Sequence, residues 1–281
     1  MGISKLFAEM IVREHIFRPM TGEVLVVGRQ TVALEPREAR SFMRGLGVVP
    51  PASGALEVDV DTRHSDGSTI SDRAFFGLLG LGALKSLDVS DYEKADIIHD
   101  LSAPLPEHLL GTADIIVDGA TLDNVFNPAQ ALISLAGMLR PAGRLFLYNI
   151  GSNHNCPYTI LTPLWFYDYF VGNGFPRVLV YASVRSNLGR NVFVVAPQNV
   201  SYLTPNIRSE FETTLLVLAE RGAASSYEQT PIQHQYRPSD ADARHRQNIE
   251  LTLGTRAEDL VRSDCPQFLD APPGYKFVPS E

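Results

Sequence analysis

The sequence has little cysteine, no long hydrophobic run and no excess of positive charge. Its 281 residues contain only two cysteines, Cys156 and Cys265, which form no CxxC pair. Neither a disulfide framework nor a cysteine zinc cluster is therefore indicated. No stretch approaches about 18 uninterrupted apolar residues, so we expect no membrane span and a cytoplasmic protein.

The charged residues argue against two further classes of partner. Lysine and arginine number 24 against 32 aspartates and glutamates, and the net charge is −8. The positive residues are scattered and form no basic stripe, so nucleic acid is not an expected partner. No HxH or HExxH pattern occurs, and we therefore predict no metal site.

Alternating strand and helix patterns are present over most of the chain. EVLVVG is short, apolar and β-branched, as in a parallel strand covered on both faces. PREARSFMRGLG follows as a helix with Pro36 in its first turn, and SDRAFFGLLGLG is predicted to be a helix capped by Ser71. This alternation predicts a twisted, mostly parallel sheet with helices on both faces.

Three short apolar runs, LKSLDVS, ADIIHDLS and ADIIVDGA, each lead into an acidic residue. These residues are Asp88, Asp100 and Asp118. The carboxyl ends of parallel strands meet at one edge of a sheet, and ligands bind there near the switch in strand order. We therefore expect the three carboxylates to face one crevice.

The second half of the chain adds a strand at RLFLYNI, a helix at PLWFYDYFVGNGF and a terminal pair of strands at RVLVYASV and RNVFVVAP. Polar helices are predicted beyond them, in SEFETTLLVLAERG and SDADARHRQNIELTLG. We therefore divide the chain into a sheet domain, residues 1–200, and a helical C-terminal appendage, residues 201–281, packed on it. Within the appendage, SSYEQTPIQHQYRP is expected to pack on the sheet domain, and the alternative is a wall for an acceptor.

The order of these segments resembles the Rossmann-like, class I S-adenosylmethionine-dependent methyltransferases. A glycine turn follows the first strand, Asp88 and Asp100 follow the second and third, and DGATLDNVFNP follows the fourth. LRPAGRLFLYN is similar to the family's Leu-x-Pro-Gly-Gly turn, with Ala142 in place of the first glycine. SLDVSDYEKADIIHDLSAPLP and LTPLWFYDYFVGNGF resemble, more weakly, bacterial methyltransferases encoded among sugar and surface-polysaccharide genes. The resemblance covers roughly residues 20–197 and implies a mostly parallel seven-stranded sheet and S-adenosylmethionine as cofactor.

The turn after the first strand departs from the family pattern. The family has an acidic residue followed by Gly-x-Gly-x-Gly, whose small residues let the backbone approach the cofactor. Here Val26 takes the acidic position, and Arg29, Gln30 and Thr31 follow Gly28. The resemblance still implies a cofactor turn at Gly28, Arg29 and Gln30, with Gln30 bonded to the cofactor's carboxylate or amine. Loss of cofactor binding is the alternative.

The other cofactor residues are implied at the strand ends. Asp88 would accept hydrogen bonds from the ribose hydroxyls, and the alternative is a turn cap. Asp100 would accept from the adenine amino group while Leu101 offers its amide to the ring, and a turn cap is again the alternative. Asp118 and Gly119 would lie beneath the transferred methyl group.

The resemblance implies O-methylation of a hydroxyl on a small or glycan-linked acceptor. His154 follows the fifth strand and is our candidate general base, with Asp123 next, because a hydroxyl must lose its proton as the new bond forms. A non-catalytic methyltransferase-like scaffold is the alternative function. A nicotinamide-dependent oxidoreductase is disfavoured because neither GxGxxG nor Tyr-xxx-Lys occurs. His15 is expected to pack against the domain or a partner chain, which leaves a homodimer open.

Overall fold

The computed structural model of the chain describes residues 2–51, 55–63, 65–152, 158–186, 189–195, 212–233, 236–237 and 243. The helices are α1 (Lys5–Phe17), α2 (Pro36–Gly45), α3 (Asp72–Leu78), α4 (Pro128–Met138) and α5 (Pro163–Gly172), with a 3₁₀ helix at Glu107–Leu109. The strands are β1 (Gly2–Ile3), β2 (Val24–Val27), β3 (Thr31–Val32), β4 (Leu84–Asp88), β5 (Ile97–Ile98), β6 (Ala113–Gly119), β7 (Leu139–Ser152), β8 (Arg177–Ser186), β9 (Gly189–Val195) and β10 (Glu212–Glu220).

The main sheet has eight strands in the order β5-β4-β2-β6-β7-β10-β8-β9. The first five strands in this order are parallel to their neighbours, and the last three pair antiparallel. In chain order the parallel strands read 3-2-1-4-5, as in a Rossmann fold, so the order reverses between β2 and β6. The predicted Rossmann-like α/β fold is confirmed, with one strand more than the seven expected.

Local sequence signals explain where several elements begin and end. All four residues of β2 are buried, as expected of a parallel strand covered on both faces. Ser71 caps α3, because its Oγ accepts a hydrogen bond from the amide of Ala74 at 3.0 Å. Pro36 is the first residue of α2, and Gly45 is its last. The predicted strand at EVLVVG, the Ser71 cap and Pro36 in the first turn of α2 are confirmed.

The predicted helix in SEFETTLLVLAERG is wrong, because its residues Glu212–Glu220 form β10. This strand lies between β7 and β8 and pairs with both. Its apolar positions from Leu215 to Ala219 are all buried. A continuous apolar run of this length fits a strand covered on both faces as well as a buried helix, so its periodicity does not separate the two. The sheet therefore includes residues beyond the predicted boundary at residue 200.

The described residues after β10 pack at the amino end of the sheet, where the parallel strands begin. The Arg221 guanidinium donates to the carbonyl of Ala136 at 3.2 Å, near the end of α4, and lies 5.1 Å from the Tyr227 ring centroid. The Tyr169 hydroxyl donates to the Tyr227 carbonyl at 2.7 Å. These contacts agree with packing for Tyr227 and place it away from the carboxyl ends of the strands; His234 lies outside the described residues.

Across the described ranges, we find no helix that combines the length and apolar character needed to cross a membrane.

Candidate functional site

A cavity of about 320 Å³ lies at the switch point, over the carboxyl ends of β2 and β6. The turns after these two strands form most of its wall. Thr62 and Arg63, between α2 and α3, and Glu93, after β4, form the remainder. The lining residues are Val27, Gly28, Arg29, Gln30, Thr31, Thr62, Arg63, Glu93, Gly119, Ala120, Thr121 and Asn124. This is the place where open α/β sheets bind ligands.

Gly28 begins the turn after β2 in a left-handed conformation, with φ of +66°. A side chain is strained in this conformation, which explains the glycine. A methyl group built on Gly28 would lie 3.5 Å from Asp88 Oδ2, so the Asp88 carboxylate faces this turn. Asp88 Oδ1 also accepts from the amide of Ser90, at 3.3 Å. The structure therefore brings Asp88 to the predicted turn and also shows a weak turn cap.

Arg29 is fixed by a buried bidentate ion pair with Asp72. Its Nε lies 3.0 Å from Asp72 Oδ2 and its Nη2 lies 2.7 Å from Oδ1, and both side chains are almost fully buried. Burial acts to lower the pKa of Arg29, but the hydrogen bonds and charge of Asp72 outweigh it and raise the pKa. Asp72 Oδ2 also accepts from the amide of Gln30 at 3.1 Å. Asp72 therefore sets the shape of the turn from 43 residues away.

Gln30 fills the space between the turns after β2 and β6. Its Nε2 donates to the carbonyls of Val27, at 2.5 Å, and Gly28, at 3.3 Å. A methyl group on Gly119 would lie only 2.0 Å from Gln30 Oε1, so the glycine at 119 makes room for this side chain. Gln30 and Gly119, two separately predicted cofactor residues, therefore lie next to each other.

Two polar atoms of this turn are buried without a hydrogen-bond partner among the described residues. Arg29 Nη1 has no acceptor, and Gln30 Oε1 has no donor. Arg29 is 4% exposed and Gln30 is 3% exposed, and both line the cavity. An unpaired buried polar group costs about 1–3 kcal/mol, so such atoms need an explanation. A ligand group that carries both a carboxylate and an ammonium would supply the missing acceptor and the missing donor.

Asp118 lies near the carboxyl end of β6, next to the cavity-lining Gly119, and is completely buried. Its Oδ1 accepts from the amide of Thr121 at 2.8 Å, whereas its Oδ2 has no partner among the described residues. Burial raises the pKa of Asp118 to about 7; the Thr121 hydrogen bonds oppose this shift, and nearby Asp123 adds to it. Asp123 is also completely buried, with its Oδ1 3.5 Å from Asn149 Nδ2.

Asp100 and Leu101 are not among the residues that line the cavity. Asp100 is exposed, and its Oδ1 accepts from the amide of Ser102 at 2.8 Å, which is a turn cap. Leu101 packs in the hydrophobic core. His154 lies outside the described residues. The roles of these three residues in binding or catalysis stay predictions.

The segment between α2 and α3 contributes residues that sequence reasoning missed. The Thr31 and Thr62 hydroxyls lie 2.8 Å apart, and the Arg63 amide donates to Glu93 Oε1 at 2.7 Å. Beyond a brief bridge between Val58 and Ile70, the described residues of this segment form no strand or helix. No local pattern therefore signalled that it covers the cavity.

Within the described part of the chain, no group of three or more His, Cys, Asp or Glu side chains is arranged to hold a metal ion.

Comparison with known proteins gives similarity at the level of three-dimensional structure only. No protein-family model matches the chain, and no curated protein matches it. The structural neighbours include several methyltransferases, some of them named as dependent on or bound to S-adenosylmethionine. The citrinin polyketide synthase CMeT domain is 12% identical over 78% of this chain and 52% of its own, with a TM-score of 0.40.

Two further neighbours come from other organisms. Phosphoethanolamine N-methyltransferase 2 of Haemonchus contortus, in complex with S-adenosyl-L-methionine, is 10% identical over 76% of this chain and 52% of its own, with a TM-score of 0.39. A SAM-dependent methyltransferase from Archaeoglobus fulgidus is 11% identical over 77% and 94%, with a TM-score of 0.40. This chain spans about half the length of the first two of these three neighbours. Such low similarity does not assign a function, so the function has to follow from the site.

Proposed function

We propose that the chain is an S-adenosylmethionine-dependent methyltransferase that transfers a methyl group to a hydroxyl of a small or glycan-linked acceptor. The observation that carries this proposal is the cavity at the switch point, with the Gly28 turn on one side and the Gly119 turn on the other. The Asp88 carboxylate faces the first turn from the end of the neighbouring strand. A glycine turn with a carboxylate one strand away suits a ligand that carries a ribose.

The residues of the cavity fit the amino-acid end of the cofactor. S-adenosylmethionine ends in one α-carboxylate and one ammonium group. Arg29 Nη1 lacks an acceptor and Gln30 Oε1 lacks a donor, and the two residues are adjacent. We assign the carboxylate to Arg29 and the ammonium to Gln30, with the ribose hydroxyls on Asp88. In this proposal the side chains of Arg29 and Gln30, on a turn held by hydrogen bonds to Asp72, make the cofactor contacts that the backbone makes in the family's glycine motif.

The bound cofactor supplies an activated methyl group on its sulfonium. The protein then has to align the acceptor hydroxyl and remove its proton. In this proposal His154 is the base, because it comes two residues after β7 ends and imidazole titrates near neutrality. Asp123 is the second candidate, although it is completely buried and does not line the cavity.

A non-catalytic scaffold is the second candidate function, and one observation favours it. The Gln30 side chain occupies the space between the two turns, where small residues would leave room for a ligand. A chain that no longer binds the cofactor would tolerate glutamine at position 30, where the family has a small residue.

Isothermal calorimetry distinguishes the two functions. We expect S-adenosylhomocysteine to bind with a micromolar Kd, about −8 kcal/mol, and NADH not to bind. Methylthioadenosine has no amino-acid end, so it should bind at least about tenfold more weakly, because charge-assisted bonds contribute about 1.5–3 kcal/mol each. If neither S-adenosylmethionine nor S-adenosylhomocysteine gives heat, the chain is a scaffold.

Two variants test the assigned residues in the same experiment. Asp88→Ala should weaken S-adenosylhomocysteine binding by about 2–3 kcal/mol, whereas Asp66→Ala, in an exposed turn that does not line the cavity, is the control and should leave the affinity unchanged. With an acceptor found by screening sugars and small alcohols, His154→Ala should lower turnover about 10²- to 10⁴-fold and leave cofactor affinity unchanged. Normal turnover in His154→Ala would move the role of base to Asp123.

A further inference from the structure

A second cavity, of about 240 Å³, lies at the amino end of the sheet, far from the switch point in the fold. It is bounded by α1 on one side and by β8 and β10 on the other. Its walls are mostly apolar and include Met10, Ile16, Phe17, Leu46, Leu179 and Leu218. Ile16 and Phe17 are 45% and 49% exposed, so they form an open rim.

One wall of this cavity is charged. Arg144, Glu220 and Arg177 stand side by side across β7, β10 and β8, and α1 brings Glu14 onto this row. Glu14 accepts two hydrogen bonds from Arg177, at 2.6 and 2.7 Å, and lies 3.0 Å from Arg144 Nη1. Arg18, just after α1, pairs with Glu220. Three guanidinium groups thus share two carboxylates, which leaves one positive charge in excess in this cluster.

The charges of this cluster also act on two of its groups. Burial lowers the pKa of His15, and the positive charge of Arg144 lowers it further. The pKa of Arg144 is lowered as well, chiefly by burial; Arg18 and Arg177 add to this lowering, while Glu14 and Glu220 oppose it. The remaining charged group of the cavity, Arg13, is paired with Glu9 at 2.9 Å and adds no net charge.

Arg177 belongs both to the charged cluster and to the lining of the cavity. It lines the cavity and is 6% exposed, yet its Nε has no acceptor among the described residues. Its guanidinium carbon lies 5.3 Å from the centroid of the Phe17 ring at the rim. A buried donor without an acceptor, in a cluster with excess positive charge, calls for an anion.

We propose that this cavity binds a small apolar carboxylate, with its carboxylate at the Arg177 end and its apolar body against the side chains of α1 and β10. One negative charge would balance the cluster and accept from Arg177 Nε, and the apolar walls would bury the rest of the molecule. The site does not depend on the proposed methyl transfer, because the two cavities share no residue.

Calorimetry with three probes of equal chain length tests the charge preference. Octanoate, 1-octanol and octyltrimethylammonium are titrated below the concentrations at which they form micelles. We expect octanoate to bind at least about tenfold more tightly than octanol, since a hydrogen bond between charged groups is stronger than one to a neutral hydroxyl, and we expect the cation not to bind. Equal affinity for all three probes, or no binding of octanoate, overturns the proposal.

A matched pair of variants at the rim avoids disturbing the buried cluster. Ile16→Glu and Ile16→Lys both remove the same half-exposed apolar side chain and differ only in charge. Octanoate should bind the lysine variant at least about threefold more tightly than the glutamate variant, while octanol binds both alike. Analytical ultracentrifugation tests whether a second copy of the chain occupies the cavity instead. If the wild-type chain sediments as a dimer and Ile16→Glu as a monomer, a second copy fills the cavity and the proposal is overturned.

Discussion

The two ends of the sheet treat buried polar groups differently. At the amino end, Arg144, Glu220 and Arg177 are paired across three strands and covered by Glu14, and Arg177 Nε has no acceptor among the described residues. At the carboxyl end, buried polar atoms of Arg29, Gln30 and Asp118 have no partner among the described residues. Native proteins leave few such atoms unpaired, and functional sites are where local rules are broken. The comparison indicates that the paired carboxylates at the amino end stabilise the fold, whereas the carboxyl end offers a ligand both an unpaired donor and an unpaired acceptor.

The largest expected effect comes from breaking the paired end. Glu14→Gln keeps the shape of the side chain but leaves Arg144 and Arg177 without their shared carboxylate. We expect the free energy of unfolding to fall by about 3–5 kcal/mol, measured by urea denaturation. Glu9→Gln on the same helix removes a partly exposed carboxylate paired with Arg13 and should cost less than about 1 kcal/mol. Equal costs for the two variants would show that the pairing at the amino end contributes no special stability.

A pH-dependent effect of intermediate size is expected at the unpaired end. The pKa of Asp118 is about 7 in the folded chain, against 3.8 for an ordinary aspartate. Between these values the folded state holds a proton that the unfolded state has released, so the free energy of unfolding falls as the pH rises from about 4 to 7 and then levels off.

Asp118→Asn removes this titration, so its stability relative to wild type should rise with pH. The free energy of unfolding of Asp118→Asn relative to wild type should rise by about 3 kcal/mol between pH 5 and pH 8. It should rise by about 1.36 kcal/mol for each pH unit up to pH 7 and then level off. Urea denaturation at both pH values measures it, and Asp100→Asn in an exposed turn serves as the control. A pH-independent difference between Asp118→Asn and wild type would mean that Asp118 is ionised in the folded chain.

The smallest expected effect concerns the backbone of the cofactor turn. Gly28→Ala places a side chain at a φ of +66° and should lower the free energy of unfolding by about 1–2 kcal/mol. Gly45→Ala, at the last residue of α2, has open space for its methyl group and should be neutral or stabilising by up to about 1 kcal/mol. If Gly28→Ala leaves the free energy of unfolding unchanged, the turn next to Asp88 does not need the left-handed conformation at position 28.

Features set by neighbouring residues could be predicted from the sequence, and features set by distant pairing could not. The strand at Val24–Val27 and the Ser71 cap depend on local composition and were found. The strand Glu212–Glu220 was mistaken for a helix because an apolar run fits both when buried.

The same distinction applies to the candidate site. Gly28 and Gly119 could be found from the strand-and-turn pattern, and they do line one cavity. The ion pair of Arg29 with Asp72 has no local signature, because the two residues meet only when α3 packs near the turn. The walls at Thr62 and Glu93 were missed for the same reason.

The position of β10 in the chain has a consequence for the order of folding. This strand separates β7 from β8 in the sheet, yet it is made last of the three, ending at Glu220. During synthesis, β7 and β8 are therefore complete before β10. One edge of each of these two strands stays unpaired until β10 has left the ribosome. Open edges of this kind can pair wrongly with other chains, and contacts formed late between distant segments slow folding. The antiparallel half of the sheet is thus the part of this protein that depends most on protection while the chain is being made.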